Sequence, residues 1–317
     1  MQQDLRPLIS IITLNYNQTD VTCEFLESLK CLDYRNYEVL VLDMASAVDP
    51  TEQLMAGNYE NLQLIVSKEN LGFAGGNNLG MRHAKGDFVF IVNNDTEVTP
   101  DLLTNLLAAM ERDPAVGVVC PKIRYFEKKD TFQYAGYQSM NMYMAKALMV
   151  GTFEEDKGQY NDPSYTYFAH GAAMLLRKEV IEKTGGFREL FFLYYEELDW
   201  SSRIRRAGYE LLYEPTGLIY HKESMSVGKN STIKTYYQAR NRILYMRRNA
   251  SSLQMLAFTF FLLFMVVPKA LLEFLFQGAF DHIKVFLKAL TWHLSVPSSE
   301  VHREDYIYDE APASVST

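Results

Sequence analysis

Short apolar runs alternate with helical patterns along the first third of the chain. Residues 8–14, 37–42, 62–66, 88–92 and 116–119 are apolar-rich and of strand length. Between the first two, residues 20–31 place Val21, Phe25, Leu26 and Leu29 at helical spacing. A short helix is predicted between the second and third runs, and another over 74–84. Residues 101–110 are predicted helical, with Thr99 as N-cap and Pro100 at the first helical position. Unbroken apolar strands alternating with helices predict an α/β fold: a mostly parallel sheet with helices on both faces.

In such sheets ligands bind beyond the carboxyl ends of the strands. The first run is followed by Asn15, Tyr16 and Asn17, the second by Asp43, the third by "SKENLGFAGGNN" and the fourth by Asn93, Asn94 and Asp95. Asn and Asp end strands as turn formers anywhere. Four strand ends that agree point instead to one polar edge facing a ligand.

The middle of the chain holds a second constellation. Residues 172–176 are predicted as a strand and 178–183 as a helix stopped by Gly185 and Gly186. The aromatic run 191–195 then delivers Glu196, Glu197 and Asp199. Two readings stay open. Acids favour the solvated first turn of a helix, and 201–207 has helical character. Alternatively, a carboxylate held against an apolar wall has its pKa raised by desolvation and becomes a usable base.

The pattern changes again after residue 226. Residues 236–249 carry Arg240, Arg242, Arg247 and Arg248 among aromatics, and 253–267 is almost wholly apolar. Pro268 and Lys269 interrupt it, 270–276 resumes around Glu273, and 283–294 is amphipathic, with Ile283, Phe286, Leu287, Leu290 and Leu294 on one face. A spanning helix needs about 20 apolar residues, and this run breaks sooner. The prediction is helices in the membrane interface, led by an arginine cluster suited to anionic lipid at the cytoplasmic face. A buried hairpin or a homodimer interface is the alternative. The expected organisation is a catalytic domain over 1–226, a membrane-associated helical region over 227–297, and a polar, disordered tail over 298–317.

Composition narrows the function. A net charge of −8 without a basic run argues against nucleic acid as a partner. Hydrophobic residues at 48% and aromatics at 13% exclude disordered and fibrous classes. Cys23, Cys31 and Cys120 are too few and scattered for a disulfide framework or a zinc site, which fits a reducing compartment. The N-terminal run "PLISIITLNYN" is a first strand, not a secretory signal.

The segments "SIITLNYN", "VLVLDMAS", "NLGFAGGNN", "VFIVNNDTEV", "HGAAMLLRKEV", "GGFRELFFLYYEELDW" and "YEPTGLIYHKESMS" occur in that order. Together they resemble the family 2 inverting glycosyltransferases with the Rossmann-like GT-A fold, especially the rhamnosyltransferase-like branch of bacterial polysaccharide assembly. The resemblance covers 7–226. It implies that Asp95 is the carboxylate that binds a divalent metal bridging the donor diphosphate, with Asn93 as helper and His221 joining late in the fold. Mg²⁺ and Mn²⁺ are the natural candidates. It implies that Asn15, Tyr16, Asn17 and Asp43 hold the nucleotide of a dTDP- or UDP-linked sugar. Asn70, Gly75, Gly76, Asn77, Asn78 and Asn94 then lie near its sugar or diphosphate. Within "EELDW" it makes Glu197 the catalytic base, with Glu196 and Asp199 as alternatives or supporting contacts. Two departures stand out: Met44 replaces the usual Asn after Asp43, and "SAVD" displaces Asp49 by one residue.

The resemblance thus implies transfer of a sugar, L-rhamnose being one candidate, to a lipid-linked or glycan acceptor. Two other readings compete: a nucleotidyltransferase, against which stands the lack of an early basic diphosphate clamp, and a non-catalytic sugar-nucleotide- or glycan-binding subunit, against which stand the intact acids Asp95, Glu197 and Asp199.

Overall fold

The computed structural model describes residues 6–222 and 231–308. Strands and helices alternate at first as the hydrophobic pattern predicts: β1 (Ile9–Asn15), α1 (Thr19–Leu29), β2 (Tyr37–Asp43), α2 (Thr51–Ala56), β3 (Leu62–Val66), α3 (Gly72–His83) and β4 (Phe88–Val92). Then come β5 (Thr96–Val98), α4 (Leu102–Arg112), β6 (Val116–Tyr125), β7 (Phe132–Tyr134), β8 (Ser164–Tyr165), β9 (Ala173–Arg177), α5 (Lys178–Thr184), α6 (Glu196–Arg206) and β10 (Glu210–His221). The C-terminal part is helical: α7 (Thr232–Asn249), α8 (Ser252–Phe261), α9 (Val267–Phe276), α10 (Phe280–Ser295) and α11 (Ser298–His302).

One sheet organises these elements, in the order β3–β2–β1–β4–β9–β6–β10–β5. Its first four strands are parallel, and β6 and β10 are parallel to each other. The sheet is nonetheless mixed, because β9 runs antiparallel between β4 and β6. Helices cover β1 and β4 on both faces, so every side chain from Phe88 to Val92 is buried. Helix α3 lies so close that a Cβ at Gly76 would sit 2.8 Å from the Met44 sulfur and 3.0 Å from Leu14. That packing, rather than ligand contact, explains this glycine.

Strand β10 is long, with a register shift between Glu214 and Leu218. It carries His221 opposite Thr96 on β5. The last strand of the sheet therefore ends beside the Asn93-Asn94-Asp95 segment.

The C-terminal region departs from expectation in three ways. First, three of the four arginines read as a lipid-facing cluster, Arg240, Arg247 and Arg248, are bound to the protein's own groups; Arg242 lines a cavity. Arg240 Nη2 donates to the Leu190 and Phe191 carbonyls at 2.8 and 2.6 Å. Arg247 donates to the Val296 carbonyl at 2.9 Å, and Arg248 pairs with Asp199 at 2.8 Å and Glu304 at 2.9 Å. A second hydrophobic cluster, including Phe168, Phe191, Leu198, Leu244, Met246, Phe258 and Val301, draws α7 onto the sheet domain.

Second, Pro268 and Lys269 do not break the apolar helix. Proline has no N–H to give to the preceding turn, and the chain meets this with a π turn at Leu262–Val266. The helix then runs on, so Ser252–Phe276 is 25 residues long, enough to cross a membrane by length and composition. Only 11% of its most apolar stretch is buried. The charge on Lys269 faces Glu273 one turn on, at 3.6 Å.

Third, the expected disordered tail is packed over 298–308. Arg188 binds Asp305 at 2.7 Å, and Val301 and Ile307 are buried. These apolar and paired contacts offset the cost of ordering the segment. Residues 309–317 of that expectation lie outside the described residues.

Candidate active site

The ends of the parallel strands are tied together by a buried polar chain. Asn94 Nδ2 donates to Thr22 Oγ1 at 2.9 Å, and Thr22 donates to Asn15 Oδ1 at 2.7 Å. Asn15 Nδ2 donates to Asp43 Oδ1 at 2.7 Å, and Asp43 Oδ2 accepts from the Ser46 N–H at 3.0 Å. Ser46 thus takes the place beside Asp43, while Asp49 is exposed and accepts from the Thr51 N–H at 2.9 Å. The chain fixes the polar edge before any ligand arrives.

A cavity of 930 Å³ opens at this edge. Tyr16, Met44, Asn70, Asn93, Asn94 and Asp95 line one side; Glu196, Glu197 and His221 face it. The structure thus unites strand-end residues with acids about 100 positions away in sequence.

Asp95 and His221 form a pair, with Oδ1 and Nε2 3.0 Å apart. His221 Nδ1 lies 2.7 Å from Gln133 Oε1, which can only accept. Nδ1 therefore carries a proton toward Gln133, which orients the ring so that Nε2 points at Asp95. Asn93 Nδ2 is 3.4 Å from the same Nε2. Among the described residues no cluster of three or more His, Cys, Asp or Glu has metal-ligating geometry. A carboxylate and an oriented imidazole still fit a hard divalent cation, which characteristically takes one or two protein carboxylates and fills its remaining positions with phosphate oxygens and water.

The aromatic run before the acids has an unusual backbone. Phe192, Tyr194 and Tyr195 have φ of 64°, 70° and 72°. Left-handed conformations cost such residues about 1–2 kcal/mol each. The loop persists because other elements hold it. Asn241 Nδ2, fully buried, donates to the Phe191, Leu193 and Tyr194 carbonyls at 2.8, 2.7 and 2.8 Å. On the other side, the Phe192 carbonyl would lie 2.5 Å from a Cβ at Gly72, whose φ is +69°, so only glycine fits there.

Asn241→Ala is therefore expected to lower the melting temperature, since it strands buried carbonyls worth about 1–3 kcal/mol each. It should also lower kcat ~100-fold by displacing the acids. Asn241→Asp, which cannot donate, should behave alike; near-normal stability and turnover for the Asp variant would show that the volume, not the donor, matters.

Glu196 and Glu197 open α6, so they do occupy a helix start, but Glu196 is buried and Glu197 half-buried with its Oε2 shielded from solvent. Burial pushes the Glu197 carboxyl up to about 7, against backbone N–H groups of the first turn that pull it down. Glu196 is pushed well above the usual range by burial first and then by the Glu197 charge. The Oε2 atoms of both have no hydrogen-bond partner among the described residues. Of the two, Glu196 is held more strongly in its neutral form, which leaves Glu197 as the carboxyl that ionises first.

Several of the sequence-predicted residues lie away from the cavity wall. Asp199 does not face the cavity: burial pushes its carboxyl up, but the Arg203 and Arg248 guanidiniums outweigh this and hold it below the usual range. Asn78 exchanges hydrogen bonds with the Phe187 backbone at 2.8 and 2.9 Å, and Asn77 donates to the Phe73 carbonyl at 2.9 Å. Asn78 and Gly76 thus dock α3, Asn77 bonds within the helix, and none of these or Gly75 lines the cavity. Asn15 and Asp43 are buried and Asn17 is exposed, and none of the three lines the cavity.

The sequence reading missed Gln133, Tyr137 and Lys146, which come from a segment without periodicity, and Lys234 and Gln238 of α7, and it read Arg242 only as part of the lipid-facing cluster. It also gave no role to His170, which lines the cavity and is held neutral by burial, down to about 3.

Residues 10–185 match the model of the glycosyl transferase family 2. The chain belongs to that family. It is 25% identical over 246 residues to the N-acetylglucosaminyl-diphospho-decaprenol L-rhamnosyltransferase of Mycobacterium tuberculosis, covering 70% of this chain and 78% of the relative. It is 24% identical over 254 residues to the low-salt glycan biosynthesis hexosyltransferase Agl10 of Haloferax volcanii, covering 77% of each. It is also 26% identical over 255 residues, 76% of its length, to an uncharacterized protein of Sinorhizobium fredii, of which it spans 27%. The mannosyltransferase PcManGT from Pyrobaculum calidifontis, solved with GDP-Man and Mn²⁺, shares the fold with a TM-score of 0.57 at 19% identity, over 93% of this chain and 78% of that one. The fold is GT-A, and the protein is a glycosyltransferase.

Proposed function

We propose that this glycosyltransferase moves a sugar, L-rhamnose being the first candidate, from a dTDP- or UDP-linked donor to a lipid-linked or glycan acceptor, with inversion. The observation that carries this reading is the Glu197 carboxyl, buried, raised to about 7 and facing the cavity that also holds the Asp95–His221 pair. Asp95 and His221, with Asn93 beside them, would hold Mg²⁺ or Mn²⁺. Such an ion, when bound, offsets the negative charge that develops on a departing nucleoside diphosphate.

The chain's own groups do the rest. Glu197 takes the proton of an acceptor hydroxyl. The hydroxyl oxygen forms a bond to the anomeric carbon as the bond from that carbon to the diphosphate oxygen breaks, and the nucleoside diphosphate leaves with the electron pair. Glu196 stays protonated and neutral. No covalent enzyme intermediate is required.

The exposed apolar helix Ser252–Phe276 supports membrane association, at the cytoplasmic face where nucleotide-sugars and lipid-linked acceptors meet. The internal arginines no longer contribute to that reading.

The test is nucleoside diphosphate release from a donor panel, with and without lipid-linked acceptor, and the anomeric configuration of the product. Release from no donor, or retention of configuration, would overturn the proposal. The base acts as its anion and its pKa is raised, so kcat/KM should rise with pH through about 7 and be lost below it. A flat profile between pH 5 and 9 is the contrary outcome.

A further inference from the structure

A second cavity, of 370 Å³, adjoins the catalytic one. Tyr195, Gln238 and Arg242 line both. Beyond them, and apart from Thr235, its wall is apolar: Leu262 and Val266 from the π turn between α8 and α9, Phe274 from α9, and Phe286 and Leu290 from α10. Leu262 and Val266 are the two ends of that π turn, a feature that widens a helix and recurs at functional sites.

The seam between the cavities is cationic. Lys234, Gln238 and Arg242 follow at four-residue spacing on one face of α7, and all three line the catalytic cavity. Arg242 Nη2 donates to the Met144 carbonyl, and its guanidinium lies 5.9 Å from the Phe258 and Phe261 rings. Its Nε is buried and has no hydrogen-bond partner among the described residues. Leaving a charged donor so desolvated is costly unless a ligand satisfies it.

From Glu197 outward the order is therefore base, cations, apolar pocket, then exposed apolar helix. A lipid-linked sugar has the same order: hydroxyl, diphosphate, chain. We propose that the smaller cavity receives the first units of a polyprenyl-type chain, and that Arg242, with Gln238 and Lys234, binds the diphosphate joining that chain to the acceptor sugar. The cavity's volume falls in the range of about 300–1,000 Å³ common for small-ligand sites. This inference rests on the glycosyltransferase reading above. It adds where the acceptor's lipid part lies and which side chains select it.

The test uses the full chain in neutral detergent micelles, with a long-chain polyprenyl diphosphate and the polyprenol of equal length as probes. The wild type should prefer the diphosphate by about tenfold or more. Arg242→Met should abolish that preference while still binding the alcohol. Val266→Trp, which fills the pocket, should weaken both probes about tenfold; Leu290→Trp serves the same purpose if the first variant melts early. Neither pocket-filling change should alter nucleotide-sugar affinity, since Val266 and Leu290 line only the smaller cavity.

Retention of the preference by Arg242→Met, or of both affinities by the folded pocket-filling variants, overturns the proposal. So does equal competition by inorganic diphosphate, which would place the anion in the donor subsite. Equal competition by phosphatidylglycerol vesicles would also overturn it, as it would mark a general anionic-lipid surface. A wild type that binds the polyprenyl diphosphate as described but releases nucleoside diphosphate from no donor would sustain the pocket and sink the catalytic reading. Efficient transfer to a chain-free acceptor, unaffected by pocket filling, would do the reverse.

Discussion

Glu197→Gln is expected to reduce kcat by ~100- to 10,000-fold while leaving donor affinity unchanged. The amide keeps the shape of the side chain, so the loop and α6 should stay in place. What it removes is the proton acceptor at the cavity wall. The same substitution should raise stability at alkaline pH. The folded-state pKa of this carboxyl is raised to about 7 from an ordinary 4.5, so the fold binds its proton more tightly than the unfolded chain does. Stability from this group is therefore fully present below pH 4.5 and falls as pH rises toward 7. Above 7 the buried anion costs on the order of 3 kcal/mol, which the neutral amide does not. A melting temperature that rises relative to wild type at pH 8 but not at pH 4, with turnover lost, is the expected joint result. An active Glu197→Gln beside an inactive Glu196→Gln would move the base by one residue. An inactive variant with a lowered melting temperature at pH 8 would show a structural role instead.

The candidate residues on the cavity wall were legible in sequence where their signals are local. A buried strand that runs into Asn93-Asn94-Asp95, and aromatics that run into Glu196 and Glu197, place chemistry at element ends. His221, 128 positions beyond Asn93, was legible only through the resemblance; the pairing of β10 with β5 brings it home. The errors have a common physical origin. Asn78 looks like a ligand amide in "GGNN", yet a helix that docks on a loop needs amides for the same hydrogen-bonding reasons. Asp199 looks like a third catalytic acid, but Arg248, 49 residues later, claims it. The arginines of α7 resemble a lipid-binding patch because basic residues among aromatics read alike whether they meet phosphates or backbone carbonyls. Only the fold shows that Arg240 and Asn241 face the strained loop at 190–194. The cavity wall from Gln133 to Met149 carries no periodicity that could have announced it.

Asp95→Asn carries the other large effect. Asp95 ends a fully buried strand, and its Oδ1 lies 3.0 Å from the Nε2 that Gln133 orients on His221. Two ligand atoms held at that separation, both fixed from behind, are suited to bind one cation without rearrangement. The amide removes the negative charge and leaves the backbone and His221 where they are. Donor binding in the presence of Mn²⁺ or Mg²⁺ is therefore expected to fall at least ~100-fold, and transfer to become undetectable, with the melting temperature nearly unchanged. His221→Ala should weaken the same binding less, because a neutral ligand contributes less than a charged one. The decisive comparison is calorimetric donor binding with metal and with EDTA. In the wild type EDTA should remove most of the affinity; in Asp95→Asn it should change nothing, since the metal-dependent part is already gone. A variant that retains near-normal turnover, still abolished by EDTA, would place the metal elsewhere and leave the Asp95–His221 pair as a structural tie between β4 and β10.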